Sequence, residues 1–246
     1  EYTEWPEKFP PLQRAIVEGV AANGARLIVA ENLYMYGAVS DRPMTENLPN
    51  AAHTRKGRVR AQMSEELLAA HREGKLKVAI ARASDFYGPG ALESSPFGDR
   101  VIYPAMRGKA MQTLGPLDVP HTYTYIGDFG RTLAELGSRE DALGQIWHVP
   151  NDRPFITNRE LGTLFAEALG VSPKFSPATK PMMLLAGLFV PAIREMWEMF
   201  YEFEKPFVVD SGKAERVLGL KPTPVKQAVA ETVAWFKAHP QVKAKH

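Results

Sequence analysis

The sequence contains no cysteine, which excludes a disulfide framework, thiolate catalysis and cysteine-ligated metal. That absence fits a reducing compartment, and a cytoplasmic protein is expected. No run reaches the roughly 18 unbroken apolar residues of a membrane span. The longest candidate, residues 182–193, is interrupted by Pro191, so no membrane partner is expected. The formal net charge is only +2, which makes no electrostatic case for nucleic acid. His53, His71 and His148 have no metal-ligand spacing, and no metal is expected. No G-x-x-G-x-x-G or G-x-G-x-x-G pattern occurs, so no loop here is recognisable as a cradle for a pyrophosphate at a helix N-terminus.

What is present is an ordinary globular balance, with 45% hydrophobic and 24% charged residues over 246 positions. That is enough for one large domain or a domain with a small lobe. Pro10-Pro11 opens a predicted helix that closes at Asn23-Gly24. Residues 26–30 read as a buried parallel strand. A polar loop with Pro43 and Pro49 leads to a long helix over 56–71 and a second buried strand over 77–82. This alternation predicts right-handed crossovers and a parallel sheet.

Farther on the pattern predicts a short helix or turn over 101–109, a strand edge over 112–115 and an exposed, alternating strand over 122–126. A helix over 128–136 is expected to be capped by Asp128, followed by a strand over 145–149. Thr157 with Glu160 three residues on is a capping-box signature for a helix to Leu169. Residues 182–202 read as helix broken at Pro191, residues 206–210 as a last strand, and 223–237 as a terminal helix. Two recognisable parallel strands cannot make a domain alone, so the chain, which begins at Glu1, reads as starting in mid-fold.

Five segments carry a resemblance. Tyr36-Gly37 ends the segment after the first strand, and Thr45-Glu46 precedes Pro49. Arg82-Ala-Ser-Asp-Phe-Tyr-Gly-Pro-Gly90 is similar to R-x-x-N-x-Y-G-P-G. His121-Thr-Tyr-Thr-Tyr-Ile-Gly-Asp128 is similar to R-D-Y-I-H-V-x-D. Gly144-Gln-Ile-Trp-His-Val-Pro-Asn151, with Thr157 and Glu160-Leu161, completes the series. In order and spacing these resemble extended short-chain dehydrogenases/reductases of the NAD-dependent epimerase/dehydratase kind.

The resemblance implies an α/β fold: a partial Rossmann-like parallel sheet with a smaller, mainly helical C-terminal substrate lobe. Residues 1–90 would form the C-terminal half of the dinucleotide-binding domain. Residues 91–246 would form the substrate lobe, with 122–151 returning elements to the main domain. About 70 residues carrying the glycine-rich loop would precede this chain, about two βαβ units of ~30 residues each. NAD or NADP would be the cofactor, bound weakly or not at all by this chain alone. The partner would be a small hydroxyl or carbonyl substrate. A homodimer through helices 11–23 and 56–71 is one expected assembly.

The departures concern chemistry. The family's Tyr-x-x-x-Lys aligns with Lys56-Gly57-Arg58-Val59-Arg60, and its serine aligns with Asn32. The resemblance therefore places Asn32, Lys56 and Arg60 in the catalytic positions. Lys56 and Arg60 stand at i and i+4 on one helix face. Lys56 would act as a base and Arg60 as a cofactor or anion contact, or both are solvated surface charges. Asn32 would donate to a substrate oxygen or cap its own backbone. Arg60, Ala83 and Ser84 align with cofactor contacts; Tyr34, Asp85, Tyr87 and His121 align with or border substrate contacts. Tyr36 reads as a packing residue or a replacement acid. His121 replaces an arginine that grips diphosphate, which weakens the case for a nucleotide-sugar substrate. Trp5, Trp147, Trp197 and Trp235 read as core or interface residues. Met182, Met183, Met196 and Met199 read as packing, or with Phe200, Tyr201 and Phe203 as the lining of an apolar pocket.

Overall fold

The computed structural model describes residues 4–189 and 197–241. The predicted break at Pro191, and Met196, lie outside the described residues. Helix α1 (Trp5–Ala22) leads into β1 (Arg26–Glu31), and α2 (Arg55–Arg72) leads into β2 (Lys77–Arg82). The helix predicted to open at Pro10-Pro11 in fact starts at Trp5, with both prolines inside it. Trp5 and Phe9 pack together at 4.8 Å, and the Arg60 guanidinium lies over both rings, which holds the extra N-terminal turn despite the prolines.

The remaining described elements are β3 (Phe86–Tyr87), α3 (Asp99–Met106), β4 (Met111–Leu114), β5 (Thr124–Tyr125), α4 (Ile126–Ser138) and β6 (Ile146–His148). They are followed by α5 (Asn158–Leu169), β7 (Phe175–Ala178), α6 (Lys180–Gly187), α7 (Tyr201–Glu204), α8 (Gly212–Leu218) and α9 (Val225–Ala238). Strands β1, β2 and β6 form a parallel sheet in that order. β3 pairs with β5 and β4 with β7, also in parallel.

The central strand β2 shows why the sheet is two-sided. Val78 and Ile80 pack with Leu67 of α2 and Val17 of α1 on one face. Ala79 and Ala81 face Leu136 of α4, Trp147 and Leu218 of α8 on the other. A third cluster, in the lobe, gathers Phe97, Ile102, Phe165 and Phe236 around α3, α5 and α9. β1 is an edge strand, flanked by an apolar cleft of about 250 Å³ between its outer face and Phe9, Leu12 and Ile16 of α1.

Several expectations need correction. The strand expected to be exposed over 122–126 is buried throughout most of its length and pairs only at Thr124–Tyr125, because the lobe core covers it. Asp128 does not cap α4, whose N-cap is Tyr125; its buried carboxylate instead accepts from the backbone and hydroxyl of Thr223. Residues 206–210 make only isolated bridges, Phe207 to His121 and Val209 to Met44. The capping box at Thr157 and Glu160 forms as the spacing predicts.

At the C-terminal edge of the sheet one row of residues is polar. Glu31, Arg82 and His148 are register partners across β1, β2 and β6. Arg82 Nε donates to Glu31 at 2.9 Å and Nη2 to Ser64 of α2 at 2.7 Å. Its guanidinium also lies 4.8 Å from the Tyr36 ring centre, and the Tyr36 hydroxyl bonds His148 Nε2. Arg82→Met leaves a carboxylate buried without its cation and is expected to cost about 3–5 kcal/mol. Denaturant unfolding measures this, and Glu31→Leu/Arg82→Met should regain much of the loss. A cost below about 1 kcal/mol for the single change would contradict the reading.

Candidate functional site

The backbone that leaves each strand builds the site. After β1, Asn32 and Tyr34 enter a 3-10 turn (Tyr34–Tyr36); after β2, Ala83, Ser84 and Asp85 lead to β3. These strand ends lie where ligands bind in parallel α/β sheets. Two clefts open there. The smaller, about 340 Å³, is lined by Asn32, Arg60, Ala83 and Ser84 among others. The larger, about 670 Å³, is lined by Lys56, Glu93, Asp99, Arg100 and Phe203 among others. Tyr34, Asp85, Ser94 and Glu202 line both and form their common wall.

The start of α2 sets the cationic side. Thr54 caps the helix by accepting from Gly57 N at 3.0 Å, and Lys56 N donates to Glu198 at 2.9 Å. Lys56 is 3% exposed, so it is not a solvated surface charge. Although Lys56 and Arg60 are one turn apart, Lys56 faces the larger cleft and Arg60 the smaller. Burial lowers the proton affinity of the Arg60 guanidinium, opposed by the charge of Glu31. Among the described residues its Nε is buried without a hydrogen-bond partner, as is the Ser84 hydroxyl. Asn32 Oδ1 accepts from Tyr34 N at 3.3 Å, which is the backbone-capping role; its amide group borders the smaller cleft.

Three aligned tyrosine and histidine positions behave differently from Tyr34. Tyr87 is 3% exposed, packs against Tyr125 and Phe165 in the lobe core, and lines neither large cleft. Tyr36 is a buried packing residue, and burial raises its phenol above the ordinary tyrosine range. His121 stands behind the wall: Nε2 bonds Asp85 at 2.9 Å, Nδ1 bonds the Glu202 carbonyl, and its ring stacks on Phe203 and Phe207. It lines neither large cleft, since its polar atoms are spent on the wall itself.

Glu202 was not singled out by any motif. It sits in Phe200-Tyr-Glu-Phe203, a carboxylate among aromatics, and that environment was the only local signal. It is 3% exposed, and its Oε1 lacks a hydrogen-bond partner among the described residues. Burial, reinforced by the charge of Asp85, holds its carboxyl far above the usual carboxylate range, against the pull of Tyr201 and Lys56. Met199, Phe200 and Phe203 do line the larger cleft, whereas Met182 and Met183 do not. Among the described residues no cluster of three His, Asp or Glu could hold a metal. No helix among them is long and apolar enough to cross a membrane.

A model of the NAD-dependent epimerase/dehydratase family matches residues 11–148, more than half of the chain. The chain belongs to that family. Among solved structures, a dTDP-glucose 4,6-dehydratase from Bacillus anthracis in complex with NAD is 16% identical, with a TM-score of 0.74 over 92% of this chain and 67% of that one. A UDP-glucose 4-epimerase from Thermus thermophilus, also with NAD, is 19% identical, with a TM-score of 0.72 over 93% and 69%. A UDP-glucuronic acid 4-epimerase from Bacillus cereus with NAD is 15% identical, with a TM-score of 0.72 over 92% and 66%. These likenesses establish the shared fold, and the chain spans about two-thirds of the length of these structures. A search of curated proteins finds no match.

Gly57 gives the site a steric test. A Cβ there would meet the Tyr34 carbonyl oxygen at 2.5 Å and the Ala52 and Thr54 side chains below 3 Å. Gly57→Ala is expected to displace the Tyr34 turn from α2 and cost about 1–3 kcal/mol. Gly130→Ala, whose Cβ would meet nothing within 4 Å inside α4, should instead be neutral or stabilising by up to about 1 kcal/mol. Equal midpoints in denaturant for both variants would refute the close approach.

Proposed function

We propose that the protein to which this chain belongs binds a nicotinamide dinucleotide, with the nicotinamide-ribose end in the smaller cleft. The larger cleft takes a small hydroxyl or carbonyl substrate. The carrying observation is the pair of clefts at the strand ends with one common wall of Tyr34, Asp85 and Glu202. The buried Ser84 hydroxyl and Arg60 Nε, unpartnered among the described residues, fit the polar carboxamide and ribose groups of such a ligand. The NAD named with the structural neighbours supports the same assignment. The bound nicotinamide supplies hydride acceptance or donation.

The chain's own residues then divide the remaining work. Arg60 and Ser84 hold the cofactor end, Asn32 offers its amide beside it, and Lys56 and Asp85 orient the substrate oxygen. Residues 1–90 form the dinucleotide side and 91–246 the substrate side, with 122–151 returning to the first. The larger cleft carries Asp85, Glu93 and Asp99 against Lys56 and Arg100, with the Glu202 carboxyl held toward its neutral form. That balance disfavours a diphosphate substrate and favours a neutral or cationic one. The replacement of the family's tyrosine and lysine by Lys56 and Arg60 favours a second reading, dinucleotide binding without turnover.

Titration of the full-length protein with NADH and NADPH, followed by fluorescence and calorimetry, tests the proposal. Saturable binding of at least one is expected. Arg60→Met and Ser84→Ala should each weaken it by about 1–2 kcal/mol, ~5–30-fold in Kd. Binding of neither dinucleotide at millimolar concentration would reject both readings. Binding without turnover on any aldehyde, ketone or alcohol would select the second.

A further inference from the structure

We propose that Glu202 exchanges the proton with the substrate oxygen, in the role left open by the tyrosine that Lys56 replaces. This inference rests on the dinucleotide-dependent reading above. Glu202 lies in the wall common to both clefts, between the proposed cofactor end and the proposed substrate site. Its Oε1 is buried and makes no close hydrogen bond among the described residues, with the Tyr201 side chain beside the carboxyl, so it can still accept or donate to a ligand oxygen. Its backbone is pinned by His121, which accepts its orientation in turn from Asp85 and from stacking on Phe203 and Phe207.

The charged and titratable groups around it come from five parts of the chain, its own helix included. Asp85, between β2 and β3, opposes its ionisation; Lys56 of α2 favours it. Tyr201 on the same helix lies beside the carboxyl, and Glu198 on the preceding turn acts on Tyr201 and accepts from Lys56 N. His121 faces it from the segment before β5 through the backbone. With burial the largest influence, the resting carboxyl is held toward its protonated form. In the reducing direction the hydride from a reduced nicotinamide dinucleotide reaches the carbonyl carbon. The carbonyl π pair takes the Glu202 proton, leaving an alcohol, the oxidised dinucleotide and a carboxylate. Lys56 stabilises that carboxylate. In the oxidising direction the same carboxylate receives the hydroxyl proton.

The test compares the full-length protein with Glu202→Gln and Glu202→Asp. A panel of glyceraldehyde, benzaldehyde and acetone is reduced with NADH and NADPH. Glu202→Gln should lower kcat by ~100-fold or more while the dinucleotide Kd stays within ~3-fold, and Glu202→Asp should recover part of the rate. The infrared carboxylic-acid band of the ligand-free protein at neutral pH should disappear in Glu202→Gln. Folding provides a further readout. A carboxyl whose folded proton affinity exceeds the unfolded one stabilises most at pH below the ordinary carboxylate range, and that contribution fades as pH rises through the folded value. The melting temperature of Glu202→Gln should therefore climb relative to the parent as pH rises. An unchanged kcat, or identical infrared spectra, overturns the role of Glu202 while leaving dinucleotide binding intact. Failure of the parent protein to bind either dinucleotide overturns the functional reading, and this inference with it.

Discussion

A guanidinium taken out of water must find compensation at once, and Arg82, about 1% exposed, finds it in Glu31, Ser64 and the face of Tyr36. Burial pulls the Glu31 carboxyl toward its neutral form and Arg82 pulls it back. Such a pair adds little net stability over a well-packed apolar alternative, but it is costly to break and tolerates one geometry only. Because Glu31, Arg82 and His148 share one register, the pair fixes where three strands stop. The residues that build the clefts follow directly: Asn32 leaves β1 and Ala83, Ser84 and Asp85 leave β2. A slip of one residue would turn these side chains to the other face of the sheet.

The same row reaches the rest of the molecule. His148 links Tyr36 to the Asp210 carbonyl, and its backbone N–H donates to Glu46, so two long loops are tied to the sheet edge. Burial holds the His148 ring toward its neutral form. A neutral ring suits a site where one nitrogen must accept while the other donates. The histidine that showed no metal spacing is thus a structural hub.

What was legible in the sequence was local. Residues 77–82 read as a strand because they form an apolar run bounded by Gly74 and by the polar segment after Arg82, and the strand spans those residues. Thr157 and Glu160 act within one turn, so their spacing suffices. Asp128 looked like a cap because caps are common before helices; its real partner, Thr223, is 95 residues away. β7 carries Pro177 and lacks a β-branched pattern, as an edge strand permits, and it went unread. α8 begins at a glycine and is 7 residues long, too short for periodicity to mark. In the site, Asn32, Tyr34, Lys56, Arg60, Ala83, Ser84 and Asp85 line the two clefts, whereas Tyr87 and His121 line neither. Their identity was visible, but not the lobe core and the Asp85 bond that occupy them.

Glu202 shows the limit of position-by-position substitution. Replacing a tyrosine by Lys56 removes a neutral proton carrier and adds a cation at the start of α2. A buried cation there needs anions nearby, and the structure supplies Glu202 across the cleft wall. The charge balance of the site is therefore shared between segments 146 residues apart in the chain, and no single motif records it. If the chemistry survives in this branch of the family, it does so by moving the proton-carrying group from α2 to the lobe. The cation then stabilises the spent carboxylate rather than activating a phenol. The cost is a carboxyl buried in a largely aromatic surround, where desolvation favours its neutral form.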